Sequence, residues 1–147
     1  LQKASVLVVG YLAIDEMIYG DTERISREAP VLILAYDNTK IILGGASNAA
    51  HNISTLNLGK VAVVGLCGDD YYANVLKKAF EDANIDTQYI VTDKTRHTTV
   101  KTRISGSCSQ SVTQQIVRID RQTNEPISQD TEEKLIRKLL IPKDKSA

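Results

Sequence analysis

The sequence predicts an α/β protein, with a parallel sheet covered by crossover helices and a small antiparallel sheet projecting from it. Two continuous apolar runs, residues 5–9 and 61–66, are typical of central parallel strands buried on both faces. Residues 46–56 between them predict a crossover helix, so these segments form a βαβ unit. Two other pairs of runs alternate apolar and polar residues, as strands with one solvated face do.

The first alternating pair lies between the first strand and the crossover helix. Residues 17–19 and 31–36 are predicted strands, and the polar residues 20–23 are expected to form the turn between them. The pair Gly44-Gly45 then opens the helix directly after the apolar residues 40–43. We expect this helix to end at Leu58-Gly59, with Gly59 in the left-handed conformation.

The second half of the chain continues the pattern. Asp69-Asp70 is expected to cap a helix over about residues 71–83, with Asn84 as its left-handed stop. Residues 89–91 predict a third short strand. The second alternating pair, residues 98–105 and 111–120, is expected to turn around Gly106-Ser107, and residues 131–140 predict a last amphipathic helix.

The composition of the chain argues against nucleic-acid-binding, membrane-spanning and secreted proteins. The 147 residues suit about one domain, and 18 basic residues balance 18 acidic ones, which favours neither nucleic acid nor an anionic membrane as a partner. No apolar run approaches the roughly 20 residues of a membrane helix, and the first four residues lack the layout of a signal peptide. Cys67 and Cys108 are expected to be reduced thiols of a cytoplasmic protein.

The chain is expected to be an incomplete domain, with residues 1–147 forming its N-terminal part. It does not begin with Met, and it ends abruptly after residue 147. All eight glycines lie between Gly10 and Gly106, so residues 107–147 hold no glycine-rich phosphate loop.

One candidate site surrounds the glycine pair. Gly44 and Gly45 let the backbone approach a ligand closely, and the helix start with Asn48 offers hydrogen-bond donors to a polyhydroxylated or anionic molecule. Asp15 falls just beyond the carboxyl end of the first strand, where open α/β sheets bind ligands and where a carboxylate can accept sugar hydroxyls. The alternatives are a solvated loop acid at Asp15, and at Asn48 an amide that bonds its own helix.

A second candidate group lies on the later alternating strands. Lys101 and Arg103 are two residues apart, so both side chains leave the strand by the same face, and Arg118 and Asp120 repeat that spacing on the partner strand. Cations placed in this way can clamp a phosphate. The alternative is that these charges only decorate the exposed face of a sheet.

These motifs resemble the ribokinase-like (phosphofructokinase-B type) sugar kinases. The general pattern comprises the opening from residue 8 to Asp15, the stretch GGASNAA at residues 44–50, and residues 63–70. The narrower pattern is YGDTERISREAPV at residues 19–31, which is similar to YGDTSRISPEAPV of the D-glycero-β-D-manno-heptose 7-phosphate kinases, the kinase domain of ADP-heptose synthase. Residues 99–103 and 117–120 are similar to the TKxR and RLD segments of the same subfamily.

The resemblance implies a function. Asp15, Gly44, Gly45 and Asn48 would contact the sugar, and the lid strands, about residues 16–36 and 98–120, would hold Lys101, Arg103, Arg118 and Asp120 near the sugar phosphate. The complete kinase would use ATP and Mg²⁺ to phosphorylate the C1 hydroxyl of heptose 7-phosphate. Its catalytic Asp, in a Gly-Ala-Gly-Asp loop, would lie after residue 147, so this segment alone is expected to bind no nucleotide or metal and to be inactive. Homodimers would pair through the lid strands.

Two features depart from the subfamily pattern. Tyr11 follows Gly10 where the subfamily usually has Asp, and the nucleotide-binding half does not appear in these 147 residues. Two alternatives therefore stay open. The chain is either a stand-alone, non-catalytic sugar-binding or dimerisation module, or part of a kinase of the same fold for another sugar.

Overall fold

A computed structural model of the chain describes residues 4–108 and 112–140. Within these residues two sheets and three helices form in the chain order β1 Ala4–Val9, β2 Leu12–Ile25, β3 Leu32–Gly45, α1 Ala46–Thr55, β4 Gly59–Cys67, α2 Tyr71–Asp82, β5 Ile85–Asp86, β6 Ile90–Thr92, β7 Thr99–Ser107, β8 Gln114–Arg121 and α3 Gln129–Leu139. In the part of the chain that the structure describes, no helix is long and apolar enough to span a membrane.

The parallel sheet is built around β4, which pairs in parallel with β1, β5 and β6. The predicted βαβ unit of β1, α1 and β4 is therefore confirmed. The prediction that β1 is buried on both faces was wrong, since Leu7 and Val9 are 45% and 55% exposed. Among the described residues β1 is an edge strand with β4 as its single neighbour, so little covers its side chains.

The projecting sheet has the strand order β3-β2-β7-β8 and is mixed, whereas the sequence predicted an antiparallel sheet. Strands β2–β3 and β7–β8 are antiparallel, but β2 and β7 run parallel. The reason lies in the parallel sheet: β1 and β6 both run parallel to β4, and β2 and β7 leave from their carboxyl ends in the same direction. We call this the mixed sheet.

Both predicted hairpin turns were misplaced. Strand β2 continues through residues 20–23 with a register shift between Tyr19 and Gly20, and the chain reverses at residues 26–31, where the Ser26 N–H donates to the Val31 carbonyl at 2.7 Å. A Cβ on Gly20 would lie 2.7 Å from the Ala35 carbonyl oxygen, so this glycine allows close strand approach within the sheet. Gly106 and Ser107 likewise belong to β7, and residues 109–111, including the expected start of the next strand at Ser111, lie outside the described residues.

The helix ends match the sequence prediction at α2 but not at α1. The Asp70 carboxylate accepts the Ala73 N–H at 2.9 Å as the predicted cap of α2, and Asn84 takes the predicted left-handed conformation with φ 59°. After α1 the left-handed residue is Asn57, with φ 51°, rather than Gly59. Gly59 instead begins β4, where a Cβ would collide with the Ala4 carbonyl oxygen.

The hydrophobic core lies between the helices and the two sheets. Its fully buried side chains come from α2, from the parallel sheet and from one face of the mixed sheet, and include Phe80, Leu76, Val63, Ile14 and Val100. Since Ile14 and Val100 belong to β2 and β7, the core fixes the base of the mixed sheet against the α/β body.

Candidate functional site

Five predicted site residues share one face of the mixed sheet. In the strand register Asp15 is paired with Lys101, and Lys101 with Asp120, while Arg103 is paired with Arg118. Residues paired across strands project from the same face, as do residues two apart along one strand. We call this surface the site face. Asp15 was expected just beyond the carboxyl end of β1, and it lies near the start of β2, where its backbone is fixed by strands on both sides.

Two of the three predicted cations on the site face already form ion pairs. Arg103 Nη1 lies 2.6 Å from Asp15 Oδ1, and both side chains are 28% exposed. Arg118 binds Asp120 through two contacts, Nε to Oδ1 and Nη2 to Oδ2, both at 2.9 Å. Lys101 lies in register between the two carboxylates but forms no ion pair within 4.0 Å among the described residues. Lys101 is thus the predicted cation available to an incoming anion; Lys40, which the register places on the same face through Met17, is a second cation without an ion pair among the described residues.

Gly44 and Gly45 are each required for a different structural reason. A Cβ on Gly44 would lie 2.7 Å from Asp15 Oδ2, so the absent side chain leaves room for the Asp15 carboxylate. Gly45 has φ 57°, and a Cβ there would lie 2.7 Å from the Tyr11 carbonyl oxygen. That same carbonyl accepts the Ala46 N–H at 2.9 Å, so the first N–H of α1 is used within the protein. Gly44 therefore borders the site face, whereas Gly45 permits the strand-to-helix junction.

The first turn of α1 contributes one exposed and one buried polar side chain. The Asn48 side chain is exposed and makes no hydrogen bond within the described residues, which leaves its amide available to a ligand. The neighbouring Ser47 is fully buried, and its hydroxyl accepts the Ala13 N–H at 3.2 Å. Ser47 was not predicted from the sequence, although a serine in a run of small helical residues gives a weak signal of such packing.

A cleft of about 160 Å³ lies at the base of the site face. It includes Thr99, whose partner Ala13 precedes Asp15 by two residues, and the 54% exposed ring of Tyr11. The other lining residues come from the ends of β1 and β4, from the start of β2 and from the segments flanking β7 and β8: Gly10, Leu12, Leu66, Cys67, Arg96, His97, Thr123 and Ile127. Asp15 itself does not line the cleft, but it lies two residues further along β2 than Ala13, the partner of Thr99.

The segment after β4 is a strand-to-helix connection, as predicted. Besides capping α2, the Asp70 carboxylate accepts the Thr98 N–H at 2.9 Å, and the Thr98 hydroxyl accepts the Gly68 N–H at 2.9 Å. Burial opposes ionisation of Asp70, but the hydrogen bonds from Thr98 and Ala73 outweigh it and lower the pKa of this carboxyl. Asp70 thereby fixes the segment that enters β7.

The opposite face of the mixed sheet carries a polar cluster that was not predicted from the sequence. Glu16 accepts hydrogen bonds from the Tyr72 hydroxyl at 3.1 Å and from the Thr102 hydroxyl at 2.8 Å, and its Oε1 lies 3.9 Å from Arg121 Nη1. Burial first, and the adjacent Glu16 carboxylate second, raise the pKa of Tyr72. No local spacing predicts this cluster, because Glu16 is 56 residues from Tyr72 and 86 from Thr102.

Comparison with known proteins gives matches over most of the chain. A model of the pfkB family of carbohydrate kinases matches residues 3–140. The chain is 43% identical over 131 residues to the bifunctional protein HldE of Helicobacter pylori strain Shi470, an alignment that covers 89% of this chain and 27% of that protein. The chain thus spans about a quarter of the length of the curated relatives it matches.

Solved structures give the same result for the fold. A carbohydrate kinase from Agrobacterium tumefaciens superposes with a TM-score of 0.60 at 23% identity, covering 79% of this chain and 34% of that one. The nucleoside kinase of Methanocaldococcus jannaschii, an archaeal member of the ribokinase family, superposes with a TM-score of 0.54 at 13% identity, covering 80% and 37%. The predicted ribokinase-like fold, present here as part of a kinase domain, is confirmed.

Proposed function

This chain belongs to the pfkB family of carbohydrate kinases, and we propose that it forms the acceptor-binding and lid portion of an ATP-dependent kinase for heptose 7-phosphate. The observation that carries the proposal is the site face, where two carboxylates and three cations lie together beside Gly44. The similarity of residues 19–31 to the heptose kinases and the 43% identity to HldE support heptose 7-phosphate as the substrate.

The charges on the site face suggest separate roles. Asp15, held by Arg103 at 2.6 Å, would accept hydrogen bonds from sugar hydroxyls, with Arg103 fixing the direction of its carboxylate. Lys101, without an ion-pair partner among the described residues, would bind the phosphate already present on the sugar. Asn48 and the cleft beside Tyr11 would contact the remainder of the acceptor. The contribution of this chain to catalysis would be to position the acceptor.

We propose that the second substrate, ATP with Mg²⁺, is bound outside this chain. In residues 4–108 and 112–140, no group of three or more His, Cys, Asp or Glu side chains is placed to hold a metal ion. No glycine is present from residue 107 onward to form a phosphate loop. The proposal therefore assigns nucleotide binding and the catalytic base to another part of the protein.

We further propose that two copies pair through the mixed sheet. Strand β8 lies at the edge of this sheet, and its Ile116, Val117 and Ile119 are 44–45% exposed. An exposed edge strand with apolar side chains favours pairing with another strand. The complete kinase would act in the cytoplasm, where ATP is available.

The test compares the product of the complete gene with the 147-residue segment. We expect the complete protein, but not the segment, to consume ATP when heptose 7-phosphate is added. Activity with ribose or fructose phosphates but not with heptose 7-phosphate would assign a different sugar. Sugar-phosphate binding without ATP consumption by the complete protein would favour the non-catalytic binding module.

The role of Lys101 is tested by Lys101→Ala in the complete protein. Loss of one charge-assisted contact of about 1.5–3 kcal/mol predicts a roughly tenfold or larger rise in KM for heptose 7-phosphate. Lys94→Ala is the matched control, because Lys94 is 83% exposed and its nearest carboxylate, Asp69, is 3.9 Å away. An equal loss of affinity for an unphosphorylated heptose would contradict phosphate binding by Lys101.

A further inference from the structure

We propose that Glu16, Tyr72, Thr102 and Arg121 form a clamp that positions the sugar-binding residues against helix α2. The inference rests on the proposed function, because these four residues would support acceptor binding only indirectly. They would position the residues that contact the acceptor without contacting it themselves. Glu16, Thr102 and Arg121 lie on the face of the mixed sheet opposite the site face, and Tyr72 lies in α2.

The contacts of the clamp centre on one carboxylate. The Tyr72 hydroxyl lies 3.1 Å from both oxygens of Glu16, and the Thr102 hydroxyl donates to Oε1 at 2.8 Å. Arg121 Nη1 donates to the Tyr72 hydroxyl at 3.1 Å, and its guanidinium lies over the Tyr72 ring, 5.3 Å from the centroid. The Glu16 side chain is only 12% exposed, so these donors replace most of the water that an ionised carboxylate requires.

Every clamp residue on the mixed sheet is a direct neighbour of a site-face residue in the sequence. Glu16 follows Asp15, Thr102 separates Lys101 from Arg103, and Arg121 follows Asp120. Successive side chains of a strand point to opposite faces, and the peptide plane between two residues is rigid. A contact that fixes Glu16 or Thr102 therefore also fixes the backbone from which the adjacent site residue projects.

Tyr72 gives the clamp its connection to the body of the protein. It lies in the first turn of α2, whose Leu76 and Phe80 are fully buried in the core, whereas the other three clamp residues belong to β2, β7 and β8. Removing the Tyr72 hydroxyl would separate Glu16 from the helix, yet the ring would still pack against the core. The position of the site face relative to the body would then be less well defined.

The experiment is Tyr72→Phe in the complete protein, with Tyr71→Phe as the matched control. Tyr71 is the preceding residue of the same helix and is 73% exposed. We expect Tyr72→Phe to raise KM for heptose 7-phosphate about three- to tenfold, while KM for ATP and the melting temperature stay close to those of the control. Glu16→Gln, which retains an acceptor oxygen for Thr102 and Tyr72, should have a smaller effect than Glu16→Ala.

Several outcomes would overturn the clamp. An unchanged acceptor KM in Tyr72→Phe would do so, and so would a parallel loss of acceptor affinity, ATP affinity and thermal stability, which indicates a purely structural role. If the wild-type protein consumes no ATP with any sugar phosphate, the proposed function is wrong, and amide hydrogen exchange then decides about the clamp. If the amide exchange rates of residues 12–18 are no higher in Tyr72→Phe than in Tyr71→Phe, the clamp is refuted.

Discussion

Gly44→Ala tests the geometry of the candidate site with a single methyl group. The new Cβ would lie 2.7 Å from Asp15 Oδ2 and 3.3 Å from its Cγ, too close for the carboxylate to keep its position. The next contact, the Ala13 Cβ at 3.7 Å, is ordinary, so the Asp15 side chain is the group that must move. Its movement would break the 2.6 Å contact with Arg103 and leave that guanidinium free to turn.

The expected magnitudes separate binding from stability. Loss of the partly exposed Asp15–Arg103 pair would cost about 1 kcal/mol of the free energy of unfolding. Replacing Gly by Ala also restricts the unfolded chain, which would stabilise the folded protein by about 0.4–1 kcal/mol. This gain applies because Gly44 does not have a positive φ, so Ala can adopt its backbone conformation. Acceptor binding would lose a charge-assisted contact of about 1.5–3 kcal/mol, a roughly 10- to 150-fold rise in KM.

The assay is steady-state ATP consumption by the complete protein at varied heptose 7-phosphate, with urea unfolding alongside. Asp15→Ala provides the control background: once the carboxylate is absent, adding Gly44→Ala should change KM little further. A Gly44→Ala protein with wild-type acceptor KM would refute the reasoning. So would additive effects of the two substitutions, because the methyl group would then act through something other than Asp15.

Two further predictions concern stability. Ser47→Ala removes the buried acceptor of the Ala13 N–H and should lower the free energy of unfolding by about 1–3 kcal/mol in urea titrations, whereas Ser54→Ala, at a partly exposed position of the same helix, should cost less. The pKa of Asp70 is lowered by folding, so its carboxylate stabilises the protein above the unfolded value of 3.8, and this contribution is lost as the pH falls through the folded pKa. Asp70→Asn should therefore flatten the decline of stability below about pH 4, and an unchanged slope would contradict that role.

Local patterns predicted those parts of the fold that depend on local physics. The apolar runs gave β1 and β4, the Asp70 cap and Asn84 stop bounded α2, and the spacing of two placed Lys101 beside Arg103 on one face. Each of these depends on backbone conformations and side-chain directions that neighbouring residues determine. The exposure of β1 was not predictable in this way, because it depends on which strands lie next to it.

The glycines show where local interpretation failed. Gly20 and Gly106 suggested turns, since glycine is common there, yet both lie inside strands where a side chain would meet a neighbouring strand. Glycine is required at a turn and at a close backbone approach for the same reason, the absence of a Cβ, so the residue type alone does not distinguish them. The clamp around Glu16 was missed for a related reason: its members approach only through strand register and the docking of α2.

The direction of β7 explains how the candidate site is assembled. Strands β2 and β7 both leave the carboxyl edge of the parallel sheet, so their first residues lie side by side. Ala13 near the start of β2 is paired with Thr99, the first residue of β7. Residues at equal distances from that edge then become neighbours, and Asp15 and Lys101 each lie two residues beyond it. The sequence predicted a wholly antiparallel sheet, and in such a sheet a residue near the start of β2 would instead face the far end of an adjacent β7. The parallel pairing thus places a carboxylate beside a cation that has no ion pair among the described residues, near the body of the protein where the cleft beside Tyr11 also opens.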